Sequence, residues 1–338
     1  MSDGQSNSQT DGPILAVRSV QVAFPTGGFG RRSSILGVAG VSFEVNRGET
    51  FALVGESGSG KTTLARAING LQAISAGSIA FRGQRIDGLG KREMQPIRRH
   101  MSMMFQDPVG SLSPRMTVGD LVTEPFRIHG AEGRDLRAET ARLLSLVGLP
   151  ASFATRFPHQ LSGGQARRVG VARALALDPA LVIADEPTAG LDVSVQGEVL
   201  NLLNDLRERL GLAMVIITHN LHVVHHIADW VAVMYLGRFV EAGDTEAVFA
   251  RPRHPYTAAL LSANPEPDPD KARNRISLPA EVPSLLSRPA GCEFHTRCPW
   301  VQARCRAEMP VPELVEHAVA CHTPLMPGAR PPRQEASP

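Results

Sequence analysis

Gly55-Glu56-Ser57-Gly58-Ser59-Gly60-Lys61-Thr62 has the G-x-x-x-x-G-K-[ST] spacing. In a loop of this kind, backbone N–H groups unshielded by side chains surround a phosphate, and the lysine reaches its terminal oxygens. Thr62 offers a hydroxyl to the divalent cation that accompanies such phosphates, and Thr63 lies beside it. Downstream, the apolar run Leu181-Val182-Ile183-Ala184 ends in Asp185-Glu186. Asp185 is suited to holding magnesium, and Glu186 to orienting or deprotonating the attacking water. His219 ends a second apolar run, Met214 to Thr218, and is suited to hydrogen-bonding a γ-phosphate. Gln106, after Met101 to Phe105, is suited to contacting magnesium or that water. The ordered set points to ATP hydrolysis.

These groups need a scaffold that brings them to one edge. Thr50 to Val54 reads as a buried strand, and Thr62 to Leu71 as the helix whose N-terminus faces the anion. From Ile14 to about Arg251, short apolar strands alternate with helical segments, the pattern of a mainly parallel sheet covered by helices. Val41 to Val45 and Ser78 to Phe81 alternate apolar and polar residues, which predicts an antiparallel early portion. Helical periodicity dominates from about 107 to 160, as expected of a helical insert. Next comes Leu161-Ser162-Gly163-Gly164-Gln165, followed by a helical run to Leu177. Its glycines permit close backbone approach and its helix start carries positive potential, which makes it a second phosphate-binding surface.

The expected organisation is therefore a tail at 1–12, an α/β nucleotide-binding unit at 13–251, a smaller unit at 252–326 and a Pro-rich tail at 327–338. The boundary near Pro252 follows the point where proline becomes frequent and all four cysteines begin to appear. A net charge of +2 over 338 residues gives no support for an extended nucleic-acid footprint, so no nucleic-acid partner is expected. No apolar stretch approaches the roughly 18–20 residues that span a bilayer, and the polar start lacks a signal-peptide core. A cytoplasmic chain is expected, with any membrane role exercised through a partner.

With these motifs in this order, residues 14–250 resemble the nucleotide-binding subunit of an ATP-binding-cassette (ABC) transporter: Walker A at 55–62, the signature at 161–165, Walker B at 181–186 and a switch histidine at 219. The resemblance implies a P-loop NTPase core with antiparallel β and helical subdomains, plus a small C-terminal extension. It implies ATP and magnesium as ligands. It also implies a dimer in which Leu161, Ser162, Gly163, Gly164 and Gln165 of one subunit close over ATP on another. Phe24 is the implied adenine-stacking residue, and Asp192 belongs to the turn that communicates between subunits. Two positions depart from the usual pattern: Thr188-Ala189-Gly190-Leu191-Asp192 stands where Ser-Ala-Leu-Asp is common, and Asn220 where Asp is common.

Arg253 to Leu261 and Gly291 to Pro299 resemble the C-terminal extension of oligopeptide and dipeptide importer ATPases, a subfamily that includes nickel importers. The implied function is to energise import of short peptides, with nickel or another small solute as the alternative. The implied partners are a second ATPase subunit, two transmembrane permease subunits and an extracytoplasmic substrate-binding protein. The chain would then lie peripherally at the cytoplasmic face of the inner membrane. A nucleotide-sensing scaffold that does not hydrolyse ATP is the rival of another class, and intact Glu186 and His219 argue against it.

Cys292, Cys298, Cys305 and Cys321 lie close together in a chain expected to be cytosolic, where lasting disulfides are disfavoured. Four thiolates suit a [4Fe–4S] cluster or tetrahedral zinc. The C-x5-C-x6-C spacing lacks the C-x2-C pair of a convincing zinc site, and some members of the resembled subfamily carry a cluster here. The cluster is the leading expectation, ahead of zinc and of free thiols.

Overall fold

The structure, a computed structural model, describes residues 12–26, 33–104, 110–130, 133–263, 275–278, 281–314, 317–326 and 329. Gln106, the tail at 1–11 and most of 327–338 lie outside them.

Two sheets organise the chain. In the smaller, β1 (Leu15–Thr26) pairs antiparallel with β2 (Ser33–Val45) and with β4 (Ala76–Phe81), and β5 (Gln84–Arg85) closes the edge. Alternation works as the sequence reading expects: Val41, Phe43 and Val45 on β2, and Ile79 and Phe81 on β4, are buried.

The larger sheet includes β3 (Thr50–Val54), β6 (Met101–Met104), β7 (Leu181–Asp185), β8 (Ala213–Thr218), β9 (Trp230–Tyr235) and β10 (Arg238–Asp244). With β11 (Glu313–Leu314) and β12 (Ala318–Val319) its order is β11-β12-β10-β9-β3-β8-β7-β6. The pairs β6–β7, β7–β8, β8–β3 and β3–β9 are parallel, and the remaining pairs are antiparallel. Every residue of β3, β7 and β8 is buried, as expected of parallel strands covered on both faces. In register, Val54 stands opposite Thr218, and Asp185 opposite Ile217. The loop after β3, the carboxylates ending β7 and the residue after β8 thus emerge at one edge, where ligands of open α/β sheets bind.

Helix α1 (Lys61–Ile68) packs its buried Leu64, Ala65 and Ile68 between the two sheets, and α2 (Lys91–Arg98) joins the same cluster through Met94 and Ile97. The segment expected to be a helical insert carries α3 (Val118–Ile128) and α4 (Leu136–Leu146). Their starts are fixed by Thr117 and Asp135, whose side chains accept from N–H groups of the first turn. Leu121, Val122, Phe126, Leu143 and Leu144 pack with Val169 and Ala172 of α5 (Gly163–Ala174), and this cluster extends to α6 (Val193–Leu210) on the sheet.

The segment after Pro252 shares a core with the main sheet. Tyr256, on α9 (Pro255–Ser262), and Phe294 pack with Ala52, Val54, Val231, Val233 and Tyr235. Helices α7 (Leu221–Ile227) and α8 (Thr245–Ala250) flank this cluster, and α10 (Ala303–Ala307) precedes the two short last strands. Among the described residues no helix is long and apolar enough to cross a membrane.

Glu241, 1% exposed, pins this junction. Its carboxylate accepts from the Arg253 N–H at 2.6 Å and the His254 N–H at 3.0 Å, and it meets His317 Nε2 at 2.6 Å. Glu241→Ala strands these buried groups and is expected to cost about 3 kcal/mol of stability, read as a lowered midpoint in urea unfolding. His254 is fully buried, and burial lowers its pKa from 6.5 to about 4. The folded chain then holds fewer protons than the unfolded chain between those values. Stability is expected to fall as pH drops from about 6.5 toward 4, by up to about 1.4 kcal/mol per unit from this group. Urea unfolding at pH 7 and pH 5 checks the sign.

Candidate nucleotide-binding site

Between β3 and α1 the chain turns through positive φ at Gly55 (149°), Gly58 (80°) and Gly60 (104°). Two of these glycines also meet backbone: a Cβ at Gly55 would lie 2.2 Å from the Met234 carbonyl oxygen, and one at Gly60 2.3 Å from that of Gly37. Only glycine fits, for conformation and for space. Lys61 is 8% exposed and folds back over the loop. Its Nζ donates to the Gly55 carbonyl at 2.7 Å, the Glu56 carbonyl at 2.9 Å and Ser59 Oγ at 3.1 Å. Burial lowers the Lys61 pKa, opposed by the charges of Glu186, Asp185 and Glu56. The lysine therefore sits within electrostatic reach of both carboxylates that end β7.

Asp185 is 3% exposed, and burial raises its pKa against a hydrogen bond from Thr62 and the charge of Lys61. Glu186 has φ 52°, a left-handed conformation that costs a residue bearing a Cβ about 1 kcal/mol. Its N–H donates to the Ile217 carbonyl at 2.8 Å, which holds it there. One Glu186 oxygen meets His219 Nδ1 at 2.7 Å, and the other accepts from the Thr218 hydroxyl at 3.4 Å. The β7 and β8 ends therefore supply a hydrogen-bonded carboxylate–imidazole pair, with His219 71% exposed toward open space. Asn220 caps α7 by accepting from the His222 N–H at 3.0 Å, so the carboxamide performs the local bonding that a carboxylate would.

Phe24, at the end of β1, is 36% exposed. Its ring lies over Gly37, where a Cβ would meet it at 2.7 Å and Thr63 at 3.6 Å. An exposed aromatic face thus stands beside the start of α1. The 161–165 segment lies against the turn after β7. Ser162 caps α5 by accepting from the Gln165 N–H at 3.3 Å, while Gln165 Oε1 accepts from the Ser162 N–H at 3.1 Å. A Cβ at Gly164 would meet Val195 of α6 at 3.0 Å. The buried Arg167 guanidinium donates to the Pro187 carbonyl and, at 2.8 Å, to that of Ala189. Sequence reading had passed over Arg167, which ties the start of α5 to the turn leading to Asp192. Gly190 turns at φ 73° in open space, and Asp192 begins α6 without a side-chain capping bond.

Comparison with known proteins matches residues 38–189 to the ABC transporter family and residues 240–305 to the oligopeptide/dipeptide transporter C-terminal region. A probable peptide ABC transporter ATP-binding protein of Sinorhizobium fredii is 51% identical over 84% of this chain and 82% of its own. The chain belongs to the ABC transporter ATP-binding family. The di/tripeptide transport ATP-binding protein DppF of Pseudomonas aeruginosa is 45% identical over 87% of this chain and 92% of its own. Among solved structures, a dimeric ATP-binding cassette in a post-hydrolysis state with ADP and phosphate is similar at TM-score 0.61 and 28% identity, covering 69% of this chain and 99% of that one. The expected ABC fold class, with its antiparallel and helical parts, is the one found.

One expectation finds no support. The four cysteines of this ABC subunit are free thiols, and among the described residues no group of three or more His, Cys, Asp or Glu is placed to hold a metal ion. The sulfurs are near enough to feel one another's charge, yet burial raises Cys298 to about 12 and Cys321 to about 11. Burial thus favours the neutral thiols. The arrangement gives the [4Fe–4S] expectation no support.

Two residues of the C-terminal segment also reach the 55–62 loop: Tyr256 accepts from the Glu56 N–H, and Arg297 donates to the Glu56 carboxylate, pairings no local pattern signals. Gly60→Ala is expected to abolish nucleotide binding by the ABC cassette while most of the fold survives. Titration with a fluorescent ATP analogue, alongside circular dichroism, checks both halves.

Proposed function

We propose that this chain binds and hydrolyses ATP as one half of a cassette dimer, and so energises import of short peptides through transmembrane permease subunits fed by a substrate-binding protein. The observation that carries the reading is the convergence of Gly55 to Thr63, Asp185, Glu186 and His219 where β3, β7 and β8 end in register. The peptide cargo is supported by the peptide-transport names of relatives at 45–51% identity and by the matched C-terminal region.

In this reading the N–H groups of Ser57 to Thr63 and the Lys61 ammonium hold the phosphates, and Phe24 stacks on the adenine. Lys61 exchanges its bonds to loop carbonyls for phosphate oxygens, which replaces neutral acceptors by charged ones. The Thr62 hydroxyl and the Asp185 carboxylate, already hydrogen-bonded, form the all-oxygen donor pair that magnesium takes, and Gln106 joins them as the proposed further ligand. Magnesium, when bound, would neutralise charge on the transferring phosphate.

Glu186 accepts the proton of the attacking water. With one Glu186 oxygen bonded to His219 Nδ1, the ring's Nε2 is left to hydrogen-bond the γ-phosphate. The partner subunit supplies the equivalents of Leu161 to Gln165 across the phosphates, because within one chain this segment packs on the turn after β7. Asp192 starts the helix beside that turn and so stands where the two subunits would sense each other.

A cleft of about 490 Å³ opens between β6 and α3, lined by Arg98, Arg99, Met103, Glu124, Ile128 and His129. Ile128 is 61% exposed and Leu71 50% exposed at its rim. This mixed apolar and charged surface supports docking of a permease segment, which would hold the chain peripherally at the cytoplasmic face of the membrane.

Glu186→Gln is expected to cut phosphate release about 100-fold or more while ATP binding survives. Malachite-green assay and nucleotide titration on the same protein separate the two. In cells making only that variant, uptake of labelled dipeptide is expected to be lost and uptake of labelled nickel to be unchanged. The reverse result would move the cargo to nickel, and loss of neither would remove both.

A further inference from the structure

Glu56 is the second residue of the phosphate loop and carries a carboxylate within electrostatic reach of Lys61. An uncompensated anion in a loop that receives a triphosphate would weaken binding, since like charges repel unless one is neutralised. The neutralising charge comes from a residue 241 positions away. Arg297 Nη1 donates to Glu56 Oε2 at 2.6 Å and Nη2 to Oε1 at 3.0 Å, a two-pronged pair that fixes the carboxylate in direction as well as charge. The Arg297 side chain is 7% exposed and that of Glu56 31%, so solvent screens the pair only in part.

Glu56 is held at two further atoms. Its N–H donates to Tyr256 Oη at 2.9 Å, and its carbonyl accepts from Lys61 Nζ at 2.9 Å. Both outside partners are anchored in the cluster that the C-terminal segment shares with the sheet. Phe294, three residues before Arg297, packs edge-on to Tyr235 at 5.3 Å and against Tyr256 at 5.4 Å, and its carbonyl accepts from the Arg297 N–H at 3.0 Å.

We propose that Arg297 is a positioning residue of the nucleotide site: it cancels the Glu56 charge and, with Tyr256, fixes the loop, so that ATP affinity depends on the C-terminal segment. This inference rests on reading the loop as the ATP phosphate site. Arg297 itself touches no reacting atom.

The test is MgATP titration of the full chain, with hydrolysis kinetics alongside, for wild type, Arg297→Ala, Arg297→Lys, Tyr256→Phe and the double variant Arg297→Ala/Glu56→Gln. The expected result for Arg297→Ala is a Kd and KM for ATP raised roughly tenfold with kcat within about twofold, because one charge interaction of this size is tenfold in an equilibrium constant. Removing the Glu56 charge in the double variant is expected to restore affinity to within about threefold of wild type. Arg297→Lys, which keeps the charge and loses the fork, is expected to fall between. Tyr256→Phe is expected to raise KM by less than Arg297→Ala, since it removes one neutral hydrogen bond.

A merely structural arginine would not be rescued by Glu56→Gln. Failure of rescue, or wild-type affinity in a folded Arg297→Ala chain, would overturn the proposal and leave the ATP site standing. Failure of the wild-type chain to bind MgATP would overturn both.

Discussion

The parallel pairing of β3 with β8, and of β8 with β7, is the constraint on which everything else hangs. Side chains alternate along a strand, so a slip of one residue in either pairing would exchange the two covered faces. It would also carry Asp185 away from Thr62 and Glu186 away from His219. Continuous burial of Leu53, Ile183, Ala184 and Ile217 makes such a slip costly, because both faces of each strand are already packed. The loop then converts that register into a site. Backbone crowding at Gly55 and Gly60 leaves it no room to spread, and Lys61 is folded onto its carbonyls rather than into solvent.

Much of this was legible in the residues. Apolar runs ending in a polar group, Asp185 on β7 and Thr218 on β8, state both the element and the edge on which it terminates. The helix after the signature begins at Gly163 rather than Ala166, since Ser162 and Gln165 cap each other and draw the glycines into the first turn. What stayed hidden depends on contacts distant along the chain. No local pattern connects Arg297 to Glu56 or Arg167 to Pro187, because the pairing exists only once the sheet and helices have assembled. For the cysteines too, closeness in sequence does not say whether the sulfurs are placed to hold an ion.

The change in texture near Pro252 is real as composition but does not mark a change of core. Proline and short irregular segments replace regular elements there, yet Tyr256 and Phe294 fill the same apolar cluster as Val54 and Val233. The nucleotide loop therefore has two supports of different origin. One is the β3–α1 connection itself, and the other is a segment far along the chain that reaches Glu56 from the opposite flank. A cassette so built can alter its phosphate loop from outside the strands that carry the chemistry.

The last strands have a consequence for biosynthesis. β10 finds its outer partner only when β12 arrives, with Ala320 donating to the Val240 carbonyl at 2.8 Å and Leu325 to that of Arg253 at 2.7 Å. On the ribosome, the parallel centre of the sheet can assemble while the β10 edge still shows bare N–H and C=O groups. A chain cut short before β12 would keep that edge open, the kind of surface that recruits chaperones or pairs with other chains. The outer margin of the sheet thus depends on residues about eighty positions beyond the strand they cover.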